Sequence, residues 1–433
     1  MNSPTVQKVS KSVVAERLSF PTSLCFDPDG NAWVAESGLP WDGAPIGGRV
    51  SRIHPNGVCE VIASDLRHPV NGLCWLDGAL IVSEGGYPGR ISRLTPEGER
   101  TTILDNLPGL GNYHTNMVAP GPDGKLYFSQ GALTNLGVIG LDAYQLGWLG
   151  HLPHNCDVPG LDVTLVGQGF ETPDPLSSVP DARTQTGAFS PFGSKHEPGA
   201  RLSASLPCTA AIMRCNPDGS ELELVAWGVR NAYGLGFLPD GRLIATDQGS
   251  DDRGSRPIGH APELLFEIKE GAWYGWPDFV GGVPVTDPQF KPTRGADLEF
   301  VLANHDELPS PEAPLMRLPV NSAATKFDRI PSTDPSYPGQ LLICLFGDEK
   351  PMTAPAGFRV GRNISRIDPN DWSLHPLPDL ELSRPIDVRV NPVDGSICIV
   401  DFGEFEMVPR GVDARSGSGK VWRVEPDELF SST

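Results

Sequence analysis

A turn followed by a short apolar strand recurs six times along the chain, and this repeat restricts the fold more than any other feature. Each copy has a glycine in the turn, and most end in an acidic or amide side chain. The copies are FDPDGNAWVAESG at 26, WLDGALIVSEGG at 75, GPDGKLYFSQGA at 121, FLPDGRLIATDQG at 237, YPGQLLICLFGDE at 337 and NPVDGSICIVDFGE at 391. Repeats of this kind indicate an array of similar structural units.

A second β-type segment follows each copy, most often in the pattern Gly-Arg-apolar-x-Arg-apolar. These segments are GRVSRI at 48, GRISRL at 89, AAIMRC at 210, LLFEIK at 264, RNISRI at 362 and GKVWRV at 419. One small sheet cannot bury both of its faces, whereas sheets stacked around an axis each gain an apolar neighbour and expose only short edges. We therefore predict an all-β fold in which the whole chain, residues 1–433, forms one six-bladed β-propeller.

The third repeat is interrupted by a long segment, residues 133–207, which is rich in glycine and proline and has little strand pattern. A connection of this length in a compact protein usually covers a functional site or is disordered. We expect it to form a long loop insertion over one rim of the propeller.

The net charge of −20 limits the partners of this chain. Phosphate binding needs a basic surface, so the charge argues against a nucleic-acid partner. No apolar run is long enough for a membrane span, and the first 20 residues lack a signal-peptide pattern. We expect a small-molecule substrate, no membrane partner, and a cytoplasmic location unless a leader has been removed.

The strand that follows each turn is expected to lie innermost, which would place its last polar residue at one rim of the channel. These residues are Glu36, Glu84, Gln130, Asp247, Gln248, Asp348 and Asp401. Carboxylates held close together repel one another unless a cation or a basic group lies between them. The alternative is that each acid only closes its own turn.

The fourth repeat stands in the densest group of polar residues. Arg230 and Asn231 precede its strand, and the loop after it contains Asp251, Asp252, Arg253 and Arg256, which form either an exposed salt-bridged loop or a ligand contact. The aromatic run GAWYGWP that follows is more typical of a core.

The motifs GVRN-x-x-GLGF-x-PDG-x-L, T-D-x-G and E-L-x-x-I-x-x-G-x-x-YGWP resemble the glucose/sorbosone dehydrogenase family, which includes the soluble quinoprotein glucose dehydrogenases. Weaker similarity at 114–131, 338–363 and 383–403 extends this resemblance over most of the chain.

The resemblance implies an oxidoreductase that holds pyrroloquinoline quinone (PQQ) and calcium at the channel mouth and oxidises an aldose or a small alcohol or aldehyde. It implies that His114 is the catalytic base, with Arg230 and Asp247 as the other catalytic residues. The cofactor-binding residues that it implies are Arg230, Asn231, Gly249, Ser250 and Arg384. The calcium ligands would be Gly249, Ser250 and Asp251. This chemistry needs a base for the hydroxyl proton and cations for a tricarboxylate.

Two positions depart from the family pattern. Ile386 stands where the quinoproteins carry a second arginine, and Asp348 and Glu349 precede Lys350 where the family has a basic residue. A separate cluster in the insertion, His151, His154 and Asp157, could bind a transition metal if it reached His114. Its alternative is a pair of solvated loop histidines.

Three functions remain open on these residues. The first is the sugar or alcohol oxidoreductase, and the second is a non-redox, metal-dependent propeller enzyme, a lactonase, another hydrolase or a lyase, that uses His114 and rim carboxylates. The third is a binding propeller without catalysis, which the fold alone does not exclude. Histidine and arginine beside a carboxylate-rich rim favour an enzyme.

Overall fold

The computed structural model describes residues 9–354, 357–408 and 411–430. Six sheets of four or five strands surround a common axis. The innermost strand of each sheet packs against the innermost strands of both neighbouring sheets. The six-bladed propeller predicted from the repeats is therefore confirmed.

The strands follow one another blade by blade along the chain. After β1 (Ser12–Leu18), blade 1 contains β2 (Pro21–Phe26), β3 (Ala32–Glu36), β4 (Gly48–Ile53) and β5 (Cys59–Leu66), with a 3₁₀ turn at Trp41–Gly43. Blade 2 contains β6 (Val70–Leu76), β7 (Ala79–Glu84), β8 (Gly89–Leu94) and β9 (Arg100–Leu107). Blade 3 begins with β10 (Thr115–Pro120) and β11 (Leu126–Gln130), and the insertion then supplies α1 (Leu141–Gln145), β12 (Val163–Thr164), β13 (Gly169–Pro173), β14 (Arg183–Gly187) and β15 (Arg201–Leu202).

The second half of the ring has the same order. Blade 3 ends with β16 (Ala211–Cys215) and β17 (Glu223–Trp227), and blade 4 contains β18 (Leu235–Phe237), β19 (Leu243–Asp247) and β20 (Glu263–Ile268). Next come β21 (Ala272–Trp273), which joins blade 3, then β22 (Phe279–Val280), β23 (Val283–Pro284), a 3₁₀ turn at Pro288–Phe290, and β24 (Met316–Leu318), which completes blade 4. Blade 5 contains β25 (Ala324–Arg329), β26 (Leu341–Leu345), β27 (Asn363–Asp368) and β28 (Ser373–Pro376). Blade 6 contains β29 (Pro385–Val390), β30 (Ile397–Asp401), the hairpin β31 (Phe405–Val408) and β32 (Gly411–Ala414), and β33 (Gly419–Val424), after which α2 (Pro426–Phe430) follows.

The ring is closed by the two ends of the chain. Strand β1 pairs antiparallel with β33, with Ser12 opposite Arg423 and Leu18 opposite Gly419, so that it forms the outer strand of blade 6. This pairing ties residues about 400 positions apart in sequence into one sheet. It satisfies the free edge of β33, which would otherwise expose unpaired backbone groups.

The predicted identity of the innermost strands is wrong. The strand after each turn (β3, β7, β11, β19, β26 and β30) is the second strand of its sheet, and the inner strands are β2, β6, β10, β18, β25 and β29. The second strands are buried along their whole length because neighbouring blades cover both of their faces. The strongest apolar pattern therefore marks the middle of a blade, not its axial edge.

The acidic ends of the second strands therefore do not form a charged ring around the channel. Most of them hold the backbone just before the inner strand: Glu36 accepts a hydrogen bond from the Ser19 amide at 2.7 Å, and Glu84 accepts one from the Arg67 amide at 2.7 Å. Gln130 accepts from the Thr115 hydroxyl at 2.8 Å. The same kind of bond runs from Arg384 N to Asp401 at 2.8 Å and from Asn231 N to Asp247 at 2.7 Å, while Asp348 accepts from Val360 N at 2.9 Å.

The insertion 133–207 is partly ordered by its own elements. Besides α1, it contains two short sheets, β12 with β15 and β13 with β14. Trp148 and Leu149 pack with Ile139 and Ala143 in a small apolar cluster of the insertion. The prediction of a long loop insertion did not include these elements, which are too short to give a periodic pattern.

The loop after β19 is buried, which corrects the interpretation of an exposed salt-bridged loop. Arg256 is 2 % exposed and donates a 2.7 Å hydrogen bond to the fully buried Asp278. The aromatic run behind it is core, as predicted, and Trp273 stacks on Trp227 with ring centroids 6.4 Å apart. Among the described residues, no helix is long and apolar enough to cross a membrane.

We predict that Glu84→Gln lowers the free energy of unfolding by about 3 kcal/mol, because it leaves a partly buried arginine and a backbone amide without their buried carboxylate. Glu84 is fully buried and also accepts from Arg90 Nε at 2.9 Å. The control is Asp105→Asn, which breaks an exposed pair with Arg67 and should cost less than about 1 kcal/mol. Urea unfolding measures both, and equal losses would contradict the capping role of Glu84.

Candidate active site on the propeller axis

A cavity of about 550 Å³ lies at the axial end of the inner strands. Its floor is formed by the second residue of five inner strands together with Tyr233, which precedes β18. The five are Thr22, Asn71, Asn116, Thr325 and Ile386. The insertion supplies part of the wall through Gln145, Leu146 and Gly147, which fits the expectation that it covers this end of the propeller.

A chain of amide side chains crosses one side of the floor. Asn71 Nδ2 donates to Asn116 Oδ1 at 3.3 Å, and Asn116 Nδ2 donates to Asn231 Oδ1 at 2.7 Å. Asn231 Nδ2 then donates to Gln248 Oε1 at 2.8 Å. These bonds fix the orientation of each amide and use both polar ends of Asn116 and Asn231.

His114 lines the same cavity from the segment just before β10. Its carbonyl accepts a 2.8 Å bond from Gly131 N, and the backbone of Gly85 lies so close that an added Cβ there would be 2.6 Å from His114 Cβ. Burial lowers the pKa of the imidazole to about 4, and the neighbouring His68 adds to this effect. Within the described residues Nδ1 is buried without a hydrogen-bond partner. His114 is therefore neutral at pH 7 and able to accept a proton.

Tyr113, which sequence reasoning did not single out, lies in the cavity wall next to His114. Its hydroxyl oxygen accepts hydrogen bonds from Arg253 Nη2 at 2.7 Å and from Arg230 Nη2. The guanidinium carbon of Arg230 also lies 4.3 Å from the centre of the tyrosine ring. Burial raises the pKa of Tyr113 to about 12. The phenol therefore keeps its proton, and with its lone pairs engaged it can act only as a donor.

The two cavity arginines are satisfied by the protein itself. Arg230 is 2 % exposed and donates to the carbonyl oxygens of Gln248 at 2.8 Å and Gly249 at 2.6 Å, and to both the backbone and the side-chain oxygen of Asn135. Arg253 pairs with Asp142 at 2.6 Å. Both guanidinium groups are thus already paired within the protein, which weakens them as partners for an anionic ligand.

Three acidic side chains also line the cavity: Asp251, Glu263 and Glu349. Asp251 accepts from Arg253 Nε at 3.0 Å and from Arg230 Nη2 at 3.3 Å. Burial raises the pKa of Glu263 to about 8, and that of Glu349 is likewise raised by burial. Glu263 therefore carries a proton at pH 7 and adds no charge.

The opposite side of the cavity is apolar. Its side chains come from the blade 1 turn, from blades 5 and 6 and from the segments that follow their second strands. They are Leu39, Trp41, Phe346, Met352, Ile386, Phe402, Phe405 and Met407. The cavity thus has one hydrogen-bonding half and one aromatic half.

The structure brings some of the predicted site residues together and separates others. His114, Arg230, Asn231, Gly249 and Asp251 line the axial cavity. Asp247, Ser250 and Arg384 do not, since Asp247 lies behind the cavity wall with both carboxylate oxygens bonded to backbone amides. Burial raises the pKa of Asp247 to about 6. The catalytic and binding roles of these residues stay predictions.

The residues of the predicted transition-metal site are not brought together. His151 and His154 are exposed and are absent from the cavity wall. Asp157 is buried and accepts from Leu133 N at 2.6 Å and from the hydroxyls of Thr134 and Thr209. In the part of the chain that the structure describes, no group of three or more His, Cys, Asp or Glu side chains could hold a metal ion.

Calcium does not fit the ligands predicted for it. The guanidinium of Arg230 occupies the carbonyl oxygens of Gln248 and Gly249, and Asp251 is paired to two arginines. The Ser250 hydroxyl donates to the Asn135 carbonyl at 3.4 Å. A divalent cation in this place would displace a buried positive group and be repelled by it.

PQQ does not fit the residues predicted to bind it either. A tricarboxylate needs unshared positive charge, but Arg230 is saturated, and Arg384 lies outside the axial cavity in a separate one. Arg384 is 1 % exposed and donates to the carbonyls of Gly347 at 3.0 Å and Asp348 at 2.8 Å, and to Glu406 at 3.1 Å.

Several solved structures that share this fold are sugar dehydrogenases. The PQQ-bound aldose sugar dehydrogenase of Streptomyces coelicolor is 16 % identical, with a TM-score of 0.56 over 98 % of this chain and 99 % of that one. The holo PQQ domain of pyranose dehydrogenase from Coprinopsis cinerea is 13 % identical, with a TM-score of 0.56 over 98 % of both chains. The soluble aldose sugar dehydrogenase of Escherichia coli, in its apo form, is 15 % identical, with a TM-score of 0.52 over 97 % of this chain and 100 % of that one. At such identities the likeness establishes a shared fold.

Comparison of the sequence alone gives no match of this kind. No protein-family model matches it. No curated protein matches it.

We predict that His114 makes the fold acid-sensitive. Its pKa of about 4 lies below the unfolded value of about 6.5, so below pH 6.5 the unfolded state binds more protons. The stability that the neutral imidazole contributes is present above pH 6.5 and is lost as the pH falls towards 4, by up to about 1.4 kcal/mol per pH unit. Urea unfolding at pH 7 and pH 5 should show a smaller loss in His114→Gln than in the wild type. Equal losses would contradict the neutral, buried state.

Proposed function

We propose that this protein is an oxidoreductase of the sugar dehydrogenase type, which oxidises a hydroxyl group of a neutral sugar or a small alcohol in the axial cavity. The observation that carries this proposal is that His114, whose Nδ1 has no hydrogen-bond partner among the described residues, lines that cavity together with Tyr113. The fold shared with sugar dehydrogenases and the motifs around Arg230 support the same reaction class.

In this proposal His114 accepts the proton of the hydroxyl that is oxidised. Its Nδ1 has no partner among the described residues, which leaves that nitrogen free to take the proton, and the backbone at Gly85 packs closely against its Cβ. The Tyr113 hydroxyl, held by Arg230 and Arg253, donates a hydrogen bond to a substrate oxygen. Such a donor stabilises the negative charge that develops as the proton leaves.

The two halves of the cavity suit a neutral, hydroxyl-rich substrate. Amide groups, Tyr113 and protonated Glu263 offer hydrogen bonds without net charge on the polar half. Apolar side chains and the insertion residues Gln145 and Leu146 enclose the remainder and exclude water. Anionic sugars would instead meet Asp251 and Glu349.

The resemblance implies PQQ as the hydride acceptor, and two structural neighbours hold it. Among its described residues, this chain offers no unpaired cation to the carboxylates of PQQ, because Arg230 and Arg384 donate their hydrogen bonds to backbone carbonyls. The proposed reaction therefore rests on the base and the cavity, not on a PQQ site.

A metal-dependent lactonase or lyase has less support. That reaction needs a divalent ion held by several carboxylates or histidines, and the described residues contain no such group. A binding propeller would not need a neutral base beside a hydrogen-bond donor. A dye-reduction assay separates the oxidoreductase from the other two functions, because only the oxidoreductase transfers electrons from substrate to a dye.

We predict that His114→Gln lowers kcat for oxidation of its sugar or alcohol by about 10²–10⁴-fold, the usual worth of a general base, with little change in substrate affinity. The measurement is dye-linked oxidation of a panel of aldoses and small alcohols. One arm supplies PQQ together with calcium, and another supplies an uncharged quinone. The control is His151→Gln, an exposed histidine outside the cavity, which should keep wild-type activity. Absence of electron transfer in every arm would overturn the proposed function.

A further inference from the structure

The aromatic half of the axial cavity is a continuous wall of ring side chains. Trp41 and Phe405 have ring centroids 5.1 Å apart, Phe402 and Phe405 are 5.7 Å apart, and Phe346 and Phe402 are 5.5 Å apart. All four line the cavity, and Met352 and Met407 extend the wall. These rings pack against one another in tilted or edge-to-face geometry, so this side of the cavity presents apolar ring surface and polarisable sulfur to a ligand.

The charges around this wall disfavour an anionic ring. Ile386 occupies the floor where the resemblance leads one to expect an arginine, and Glu349 faces the cavity where it leads one to expect a basic residue. Lys350 points away, and its ammonium group lies 3.8 Å from Asp348. Of the cations that remain, Arg230 is bonded to Asp251 and to backbone carbonyls, and Arg253 is paired with Asp251 and Asp142.

We infer that the wall formed by Trp41, Phe346, Phe402 and Phe405 binds a flat, uncharged quinone, which accepts the hydride from the carbinol carbon of the substrate whose hydroxyl proton goes to His114. This inference rests on the proposed function for the reaction, while the binding site itself stands on the geometry of the wall. An uncharged ring loses little hydration on entering an apolar site, whereas each carboxylate of a charged quinone would need a cation that this cavity does not provide.

The reaction balances with these groups alone. The carbinol carbon loses its hydrogen as hydride to the quinone, and the hydroxyl proton passes to His114. The substrate becomes a carbonyl compound by forming its C=O bond as the C–H and O–H bonds break. The proton on His114 then moves to the reduced quinone, so that the products are a carbonyl compound and a hydroquinone, and His114 is neutral again.

The test measures quinone binding separately from catalysis. Equilibrium dialysis of the full chain with duroquinone, an uncharged ring, and with PQQ, a tricarboxylate, gives both affinities without any substrate. We expect duroquinone to bind more tightly than PQQ, and Phe405→Leu to weaken duroquinone about tenfold by removing one ring face. The matched control is Val393→Ala, an exposed position far from the cavity wall, which should leave both affinities unchanged.

A second variant covers the case in which Phe405→Leu fails to fold. Ile386→Arg puts a cation on the cavity floor, so PQQ should bind more tightly and duroquinone more weakly than in the wild type. Tighter binding of PQQ than of duroquinone to the wild type, or unchanged duroquinone affinity in both variants, would overturn the inference. Dye reduction by a sugar without duroquinone binding would leave the proposed function standing and remove the inference. Duroquinone binding without any substrate oxidation would do the reverse.

Discussion

The axial cavity depends on one buried contact that recurs around the ring, in which a polar side chain at the end of a second strand holds the start of the inner strand. In blade 4, Asp247 accepts bonds from the amides of Arg230 and Asn231, and in blade 2, Glu84 holds the Arg67 amide. Because these carboxylates are buried, the backbone cannot shift without leaving a charge unpaired in the interior. The cavity floor and the side chains that rise from it are thereby fixed.

This contact also explains which parts of the fold the sequence could predict. The turn-and-strand repeats identify two strands in every blade, because β3 and β7, like their counterparts, are covered on both faces and must be apolar. The inner strands carry residues such as Asn71 and Asn116 at the channel, so their pattern is mixed and gives no clear signal. The order of strands within a blade therefore had to come from the structure.

The part of the site that could be predicted came from the family resemblance. It named His114, Arg230 and Asn231, together with Gly249 and Asp251 of the loop after β19, and all five line the cavity. Tyr113 adjoins His114 in sequence, yet nothing in its local pattern shows that two arginines converge on its hydroxyl. Long-range pairing of this kind depends on loops from different blades and leaves no trace in spacing.

Arg384 illustrates the opposite failure, in which a motif matches but the side chain turns elsewhere. The hairpin β31–β32 brings Glu406 to its guanidinium at 3.1 Å and also supplies the Phe405 carbonyl, and three carbonyl oxygens of the segment after β26 accept further hydrogen bonds from it. That hairpin has no counterpart in the repeat pattern, so the sequence could not show that a carboxylate would capture this arginine.

The use of arginines as internal cations sets the chemistry that the cavity can perform. Arg230 donates hydrogen bonds to the carbonyls of Gln248 and Gly249, and Arg384 donates to those of Gly347 and Asp348. A guanidinium that stabilises loop carbonyls cannot also neutralise a ligand carboxylate, because its donors and its charge are already shared. The chain has a net charge of −20, and its cavity, as lined by the described residues, therefore offers an anion no unpaired cation against this negative field. Uncharged rings and neutral polyols are the ligands that such a cavity can hold without further cations.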